Sequence, residues 1–267
     1  MPKREFNPEK QIQIIVDFIQ NYFIENGNSN TKAVIGISGG KDSTIAAALL
    51  VRALGPDRVI GVMMPQDEQK DIHDALRVCE TLGIKYYAIN IGATCATLGG
   101  EFISQTGLPF TSQISTNMPA RIRMTTLYMV AAAVGGRVCN TGNASEKFIG
   151  YTTKYGDLAG DFALFTELTV RELYQIGDAL TELPSDLVHK TPADGMSDKT
   201  DEDNTGIPYT VIDDLLLSGK HPADMAIYEK MMTAHRRNQH KNCIKLPCPY
   251  RAGDYLRHGG NVEVWEF

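Results

Sequence analysis

The sequence predicts an α/β fold with a doubly wound, mostly parallel sheet, and three observations carry that prediction. Short apolar runs over 33–37, 58–64, 86–90 and 137–141 alternate with segments of helical periodicity. The first run ends in a glycine turn that opens directly into an Ala/Leu-rich helix. At 267 residues the chain is long enough to cover both faces of such a sheet in one sizeable domain.

Asn7-Pro8 supplies a cap and a first-turn proline to an amphipathic helix over 8–25, whose stripe includes Ile12, Ile15, Ile19 and Phe23. That stripe covers a core or a partner subunit. Ala33–Ile37 reads as a buried strand and Ser38-Gly39-Gly40 as a turn. The next helix runs over about 43–53, with Ser43 and Thr44 at its cap. Arg58–Met64 is a second strand, Gln66–Leu82 a helix and Tyr86–Asn90 a third strand. Ile91–Phe110 reads as one helix followed by a loop. Asn117–Val134 is a longer helix that carries Arg121 and Arg123 near its start. Two positions apart, these arginines cannot share a helix face, so one reaches a ligand or an acid and the other water. Arg137–Thr141 is the fourth strand, and further helices are expected over 168–180, 208–217 and 222–235. Segment 189–206 has almost no apolar residues and is expected to be a mobile lid, the alternative being a solvated linker. A basic tail follows from about residue 236.

The formal charge of −6 argues against a broad nucleic-acid surface. No apolar run is long enough to span a bilayer, and the opening residues lack the apolar centre of a secretory leader. Five cysteines without a C-x-x-C pair point to reduced thiols and a cytoplasmic setting.

The chemistry concentrates in the glycine turn, Gly36-Ile37-Ser38-Gly39-Gly40-Lys41-Asp42-Ser43. Backbone N–H groups and the positive end of a helix dipole converge there, where a phosphate can sit. The spacing fits neither a Walker A loop nor the dinucleotide fingerprint, in which Ser38 would have to be glycine. Asp42 would repel a phosphate unless a cation lay between them, which points to Mg²⁺. A second strand end feeds Asn140-Thr141-Gly142-Asn143-Ala144-Ser145-Glu146. Glu146 either joins Asp42 on Mg²⁺ or simply caps the helix that starts there. Residues 150–161 then form a polar loop with Lys154, Asp157 and Asp161, more chemistry than a connector needs.

The turn resembles the pyrophosphate loop of N-type ATP pyrophosphatases. Asn117-Met118-Pro119-Ala120-Arg121-Ile122-Arg123-Met124, Thr153-Lys154-Tyr155-Gly156-Asp157, Thr200-Asp201-Glu202 and His240-Lys241 follow in order. Together these segments resemble the ammonia-dependent NAD⁺ synthetases over nearly the whole chain. The resemblance implies one synthetase domain with a five-stranded, adenine nucleotide alpha hydrolase-like sheet and a C-terminal helical extension. It implies that ATP adenylates deamido-NAD⁺ and that ammonia displaces AMP, within a homodimer whose dinucleotide site lies between subunits. By motif match, Gly36, Ile37, Ser38, Gly39, Gly40, Lys41, Asp42, Ser43 and Thr141 serve ATP, with Asp42 and Glu146 on Mg²⁺. Arg121, Lys154, Asp161, His240 and Lys241 serve the dinucleotide. Arg171 stands where the family places an ATP-binding lysine, and Ala193 stands where relatives carry a lid Ser or Thr. A tRNA-thiolating enzyme of the same loop class would want paired cysteines and a basic RNA surface, and a passive nucleotide-binding regulator would not need the Asp42–Glu146 pair.

Asp157, with Lys154 beside it, is the expected catalytic acceptor of a proton from the incoming amine. Asp157→Asn is expected to lower turnover at saturating ammonium by about 100-fold, read as NAD⁺ formed. Unchanged turnover would remove Asp157 from that role.

Overall fold

The computed structural model describes residues 6–69, 72–190 and 200–242. Five parallel strands, β1 (Lys32–Gly36), β2 (Val59–Met63), β3 (Lys85–Ala88), β4 (Gly136–Asn140) and β5 (Phe162–Ala163), lie in the order β3-β2-β1-β4-β5. Every strand pair is parallel, with Ile35 facing Gly61 on one side and Cys139 on the other. β1 is thus central, and the chain order reverses between β1 and β4. A crevice opens at the carboxyl ends of strands at such a reversal.

The two faces are covered unequally. On one side pack α1 (Pro8–Glu25), α2 (Lys41–Leu54), α3 (Ile72–Thr81), α7 (Val170–Ala179) and α8 (Ser185–Val188), around Ile15, Ile19, Ile35, Leu49 and Phe165. The opposite face is covered by α5 (Ser112–Val134), through Leu127, Val130, Ala131 and Val134 against Val34, Ile60, Val62 and Val138. α4 (Gly92–Thr106) lies beside α5. A third cluster, with Ile149, Val170, Ile207, Ile212 and Met231, joins α6 (Ala144–Ile149) and α7 to α10 (Tyr209–Ser218) and α11 (Met225–Asn238). The C-terminal extension therefore has its own apolar seam.

Several expectations are refined. The stripe of α1 is buried against the chain's own core, with Ile15 and Ile19 fully covered, so it needs no partner subunit. Residues 66–68 form a bend, and the described part of the third helix begins at Ile72. α5 begins at Ser112, five residues before the expected Asn117. Pro119 removes one N–H inside the helix, but Thr111 caps the earlier start by accepting from the Ile114 N–H at 3.3 Å. β5, only two residues long, leaves no alternation for a sequence to display. Segment 191–199, the tail from 243, Cys243 and Cys248 lie outside the described residues, as does Ala193. What is described of the expected lid is anchored: Lys190 pairs with Asp74 at 2.7 Å, and Asp201–Thr205 form a capped short helix, α9. Cys79, Cys95 and Cys139 are buried free thiols, and no helix among the described residues is long and apolar enough to cross a membrane.

Phe162 locks β5 to α1, with its ring 4.7 Å from that of Tyr22 and 5.6 Å from that of Phe23. Phe162→Ala is expected to destabilise the fold by about 3–5 kcal/mol, measured by urea unfolding. A loss below about 1 kcal/mol would mean that this aromatic cluster does not hold α1 to the sheet.

Candidate active site

The β1–α2 and β4–α6 connections meet over the crevice and wall a cleft of about 490 Å³. The glycine turn contributes Gly36, Ser38, Gly40, Lys41, Asp42 and Ser43, the β4–α6 connection Thr141, Gly142 and Glu146, and the later chain Asp157 and Lys241. Arg123, Asn117 and Met124 of α5 close it from above.

Within the glycine turn, Gly39 has φ +80° and swings the chain so that the loop closes on itself. Ser43 and Thr44 do not stand at the helix cap as expected, because the helix starts at Lys41 and Gly40 occupies the cap position. The Ser43 hydroxyl instead donates to the Gly40 carbonyl at 3.0 Å and accepts from the Ser38 N–H at 3.3 Å. Thr44 likewise donates back to Gly40 at 2.9 Å. The Gly40 N–H rests on Ser38 Oγ at 3.2 Å. Contacts of 3.2–3.3 Å are long, so phosphate oxygens can replace them at little cost.

Asp42 lies in the first turn of the same helix. Its Oδ2 accepts from Lys41 Nζ at 3.0 Å and from Asn143 Nδ2 at 3.3 Å. Its Oδ1 is buried with no hydrogen-bond partner. Glu146 lies beside it, with Oε2 accepting from the Asn143 N–H at 3.1 Å in a capping box. Glu146 therefore does cap its helix, and only one of its two oxygens is committed. Burial, and then the charge of Asp42, pushes its carboxyl from an ordinary 4.5 to about 8. Two neighbouring carboxylates with unmet oxygens, beside a phosphate cradle, form a hard oxygen donor set that fits Mg²⁺.

Across the cleft, Asp157 accepts from the Thr153 N–H at 2.6 Å. Burial raises its carboxyl, while the Thr153 N–H and the Lys241 charge oppose the rise. Lys241 Nζ donates to the carbonyls of Gly150 and Thr152, each at 2.7 Å, and burial lowers its own pKa. At the rim, Arg121 Nε donates to the Lys154 carbonyl at 3.2 Å, and Lys154 Nζ donates to the His240 carbonyl at 2.7 Å. Arg121, Lys154, His240 and Lys241 are thus brought to one edge of the cleft from three distant stretches of chain. Of the arginine pair, Arg123 is the one on the cleft wall, with Nε donating to the Met64 carbonyl at 3.0 Å.

Of the expected site residues, Gly39, Arg121, Lys154, His240, Asp161 and Arg171 do not line the cleft itself, and the bonds of Asp161 and Arg171 lead away from it. Asp161 is absent from the cleft wall; its Oδ2 accepts from the Val138 N–H at 2.7 Å and so ties the loop to β4. The Arg171 guanidinium turns outward to Asp214, at 2.7 Å, instead of toward the cleft. Three residues that carried no expected role prove central. Asn143 bonds both acidic residues. Buried Asn140 donates to the carbonyls of Asp157 and Ala159 at 2.7 and 3.2 Å and accepts from the Gly142 N–H at 2.9 Å. It therefore ties the β4–α6 connection to the 157–159 loop beside it. Asp201 reaches the wall from α9. The Asn143-x-x-Glu146 spacing is a capping-box signal that a sequence can offer; the Asn140 clamp leaves none.

The family model described as NAD synthase matches residues 11–246, a span that contains every wall of this cleft. The chain belongs to the NAD synthase family. It is 38% identical to the NH(3)-dependent NAD(+) synthetase of Pyrococcus furiosus, over 80% of this chain and 79% of that protein. The corresponding protein of Archaeoglobus fulgidus is 34% identical over 94% of this chain and 100% of its own length. Among solved structures, an NMN synthetase from Francisella tularensis superposes with a TM-score of 0.82 at 31% identity, covering 91% of this chain and 98% of that one. An NH3-dependent NAD synthetase from Campylobacter jejuni has a TM-score of 0.70 at 29% identity, covering 90% and 98%. This NAD synthase family member therefore shares its whole sheet and cleft region with synthetases of pyridine nucleotides.

The raised Glu146 carboxyl has a stability consequence. The folded protein retains a proton there that the unfolded chain gives up above about pH 4.5. The stability from that proton is complete below the unfolded value and fades as pH rises through the folded value of about 8. Glu146→Gln is expected to flatten the fall in melting temperature between about pH 5 and 8 in metal-free buffer. Superimposable melting profiles of the two proteins would contradict the assignment.

Proposed function

We propose that this chain catalyses ATP-dependent amidation of deamido-NAD⁺ with ammonia, yielding NAD⁺, AMP and pyrophosphate. The observation that carries the reading is a single cleft. It joins a phosphate cradle with two under-satisfied carboxylates to a facing acid–base cluster, in a chain of the NAD synthase family.

A carboxylate resists attack by an amine until one of its oxygens becomes part of a good leaving group. In the proposed reaction a nicotinate oxygen attacks the α-phosphorus of ATP and pyrophosphate departs. Ser38, Gly39, Gly40 and Ser43 hold the departing pyrophosphate, with Ser38 and Ser43 exchanging their mutual contacts for its oxygens, and Thr141 contacts ATP. Asp42 and Glu146 would hold Mg²⁺, which when bound supplies neutralisation of the phosphate charge. Ammonia then forms the C–N bond and AMP leaves with the carboxylate oxygen. Asp157 takes up the proton lost from the amine, its raised pKa favouring that uptake. Arg121, Lys154, His240 and Lys241 form the cationic rim for the dinucleotide phosphates. Arg123, on the cleft wall, joins them, whereas Arg171 and Asp161 act through the packing of α7 and β4.

A homodimer is part of the same proposal. α4 and α5 expose Leu98, Ile103 and Met129, the last 67% exposed, on the face of the sheet that only α5 covers among the described residues. A cytoplasmic setting is consistent with three unpaired thiols.

The higher TM-score to an NMN synthetase favours one second reading, amidation of the mononucleotide acid. Incubation with ATP, Mg²⁺ and ammonium tests both. Deamido-NAD⁺ is expected to give NAD⁺ and AMP in equal amounts, with kcat/KM at least about tenfold above that for nicotinate mononucleotide. Preference for the mononucleotide would establish the second reading, and ADP as product would refute both.

A further inference from the structure

Lys41 occupies the variable position of the Ser-Gly-Gly-x-Asp-Ser turn, and its placement gives it a task distinct from holding phosphate. Its side chain is only 3% exposed, and its ammonium lies 3.0 Å from Asp42 Oδ2. The Tyr174 ring lies 5.7 Å away, and the Glu146 carboxyl lines the same cleft. The 3.0 Å ion pair with Asp42 holds the ammonium against the carboxyl pair. The protein thus carries a fixed positive charge against the two carboxylates that would hold the metal.

That charge acts in opposite directions on the two components of a metal–nucleotide complex. It repels a bare divalent cation approaching Asp42 Oδ1, the oxygen it leaves unpaired, and solvent screens the repulsion little at a buried site. It attracts a triphosphate on the adjoining turn. We infer that Lys41 is a built-in counter-cation that makes metal loading depend on ATP. The carboxylate pair takes up a divalent ion weakly by itself and strongly together with the nucleotide. Such coupling is reciprocal, so the ion strengthens ATP binding by the same factor. Lys41 is on this account a positioning residue acting through Asp42. The inference rests on reading Asp42 and Glu146 as the metal site.

Mn²⁺ serves as the probe, titrated by electron paramagnetic resonance into the full chain at one pH, with and without ATP. Lys41→Met and Lys41→Gln are expected to bind Mn²⁺ alone at least about tenfold more tightly than the native protein. Lys41→Arg, which keeps the charge, should match the native protein. Neutral variants that bind Mn²⁺ alone no better than the native protein would overturn the inference. An Asp42→Asn control separates the two levels. If it binds Mn²⁺ as the native protein does, the metal site itself is misassigned. If it loses Mn²⁺ while Lys41→Met gains nothing, only the role of Lys41 fails.

Discussion

Two carboxyl groups packed side by side stand at the centre of this molecule, and much of the surrounding structure serves to keep them there. Asp42 arrives on the first turn of α2 and Glu146 on the first turn of α6. Both helices follow neighbouring parallel strands, so the strand order itself brings the acids together. Asn143 bonds both, and Lys41 neutralises part of their charge from beneath. α6 is in turn pinned by Ser145, whose hydroxyl donates to buried Asp213 at 2.6 Å and accepts from the Val170 N–H at 3.1 Å. Asp213 also accepts from the Arg171 N–H at 2.8 Å. The C-terminal extension therefore supports Glu146 from behind, which is why a catalytic sheet carries α10 and its apolar seam. A second negative charge this close to Asp42 is costly without a cation, which is why Glu146 holds its proton in metal-free protein and why the pair suits a cation.

The second requirement is distance. The proposed reaction needs the activated carboxyl and the incoming amine in a fixed relation, and the loop over 157–161 is tied firmly to the end of β4. Asn140, at the end of β4, makes two hydrogen bonds to the 157–159 loop and a third to Gly142 of its own connection, and so holds the two together. Gly160 permits this clamp, since a Cβ there would come within 2.8 Å of the Asn140 side chain and 3.0 Å of its backbone nitrogen. Tyr155 is held at φ +59° where the adjoining loop turns toward the rim. Backbone strain of this kind marks a loop shaped by its site more than by local preference.

Much of this is legible in the order of residues along the chain. Strand-turn-helix at 33–50 follows from β-branched residues feeding two glycines, and the structure has that strand, turn and helix there. Asp42 and Glu146 are visible as acids at the ends of apolar runs, a combination that local structure alone does not call for. Other features depend on long-range contacts that leave no local trace. The outward turn of Arg171 is decided by Asp214 on another helix, and the structural duty of Asp161 by an N–H of β4. Periodicity cannot tell which of Arg121 and Arg123 faces the cleft, because the helix rotation is set by packing on β1 and β4. Pro119 disguises the start of α5, and two-residue β5 is too short to register.

The central claim is that this cleft transfers an adenylyl group to a carboxylate before any C–N bond forms. The most direct measurement uses deamido-NAD⁺ with ¹⁸O in both oxygens of the nicotinate carboxylate, turned over with ATP and ammonium. Activation at the α-phosphorus predicts AMP carrying one ¹⁸O and unlabelled pyrophosphate, with the second ¹⁸O retained in the amide of NAD⁺. Unlabelled AMP, with ¹⁸O recovered in pyrophosphate or in inorganic phosphate, would contradict the account.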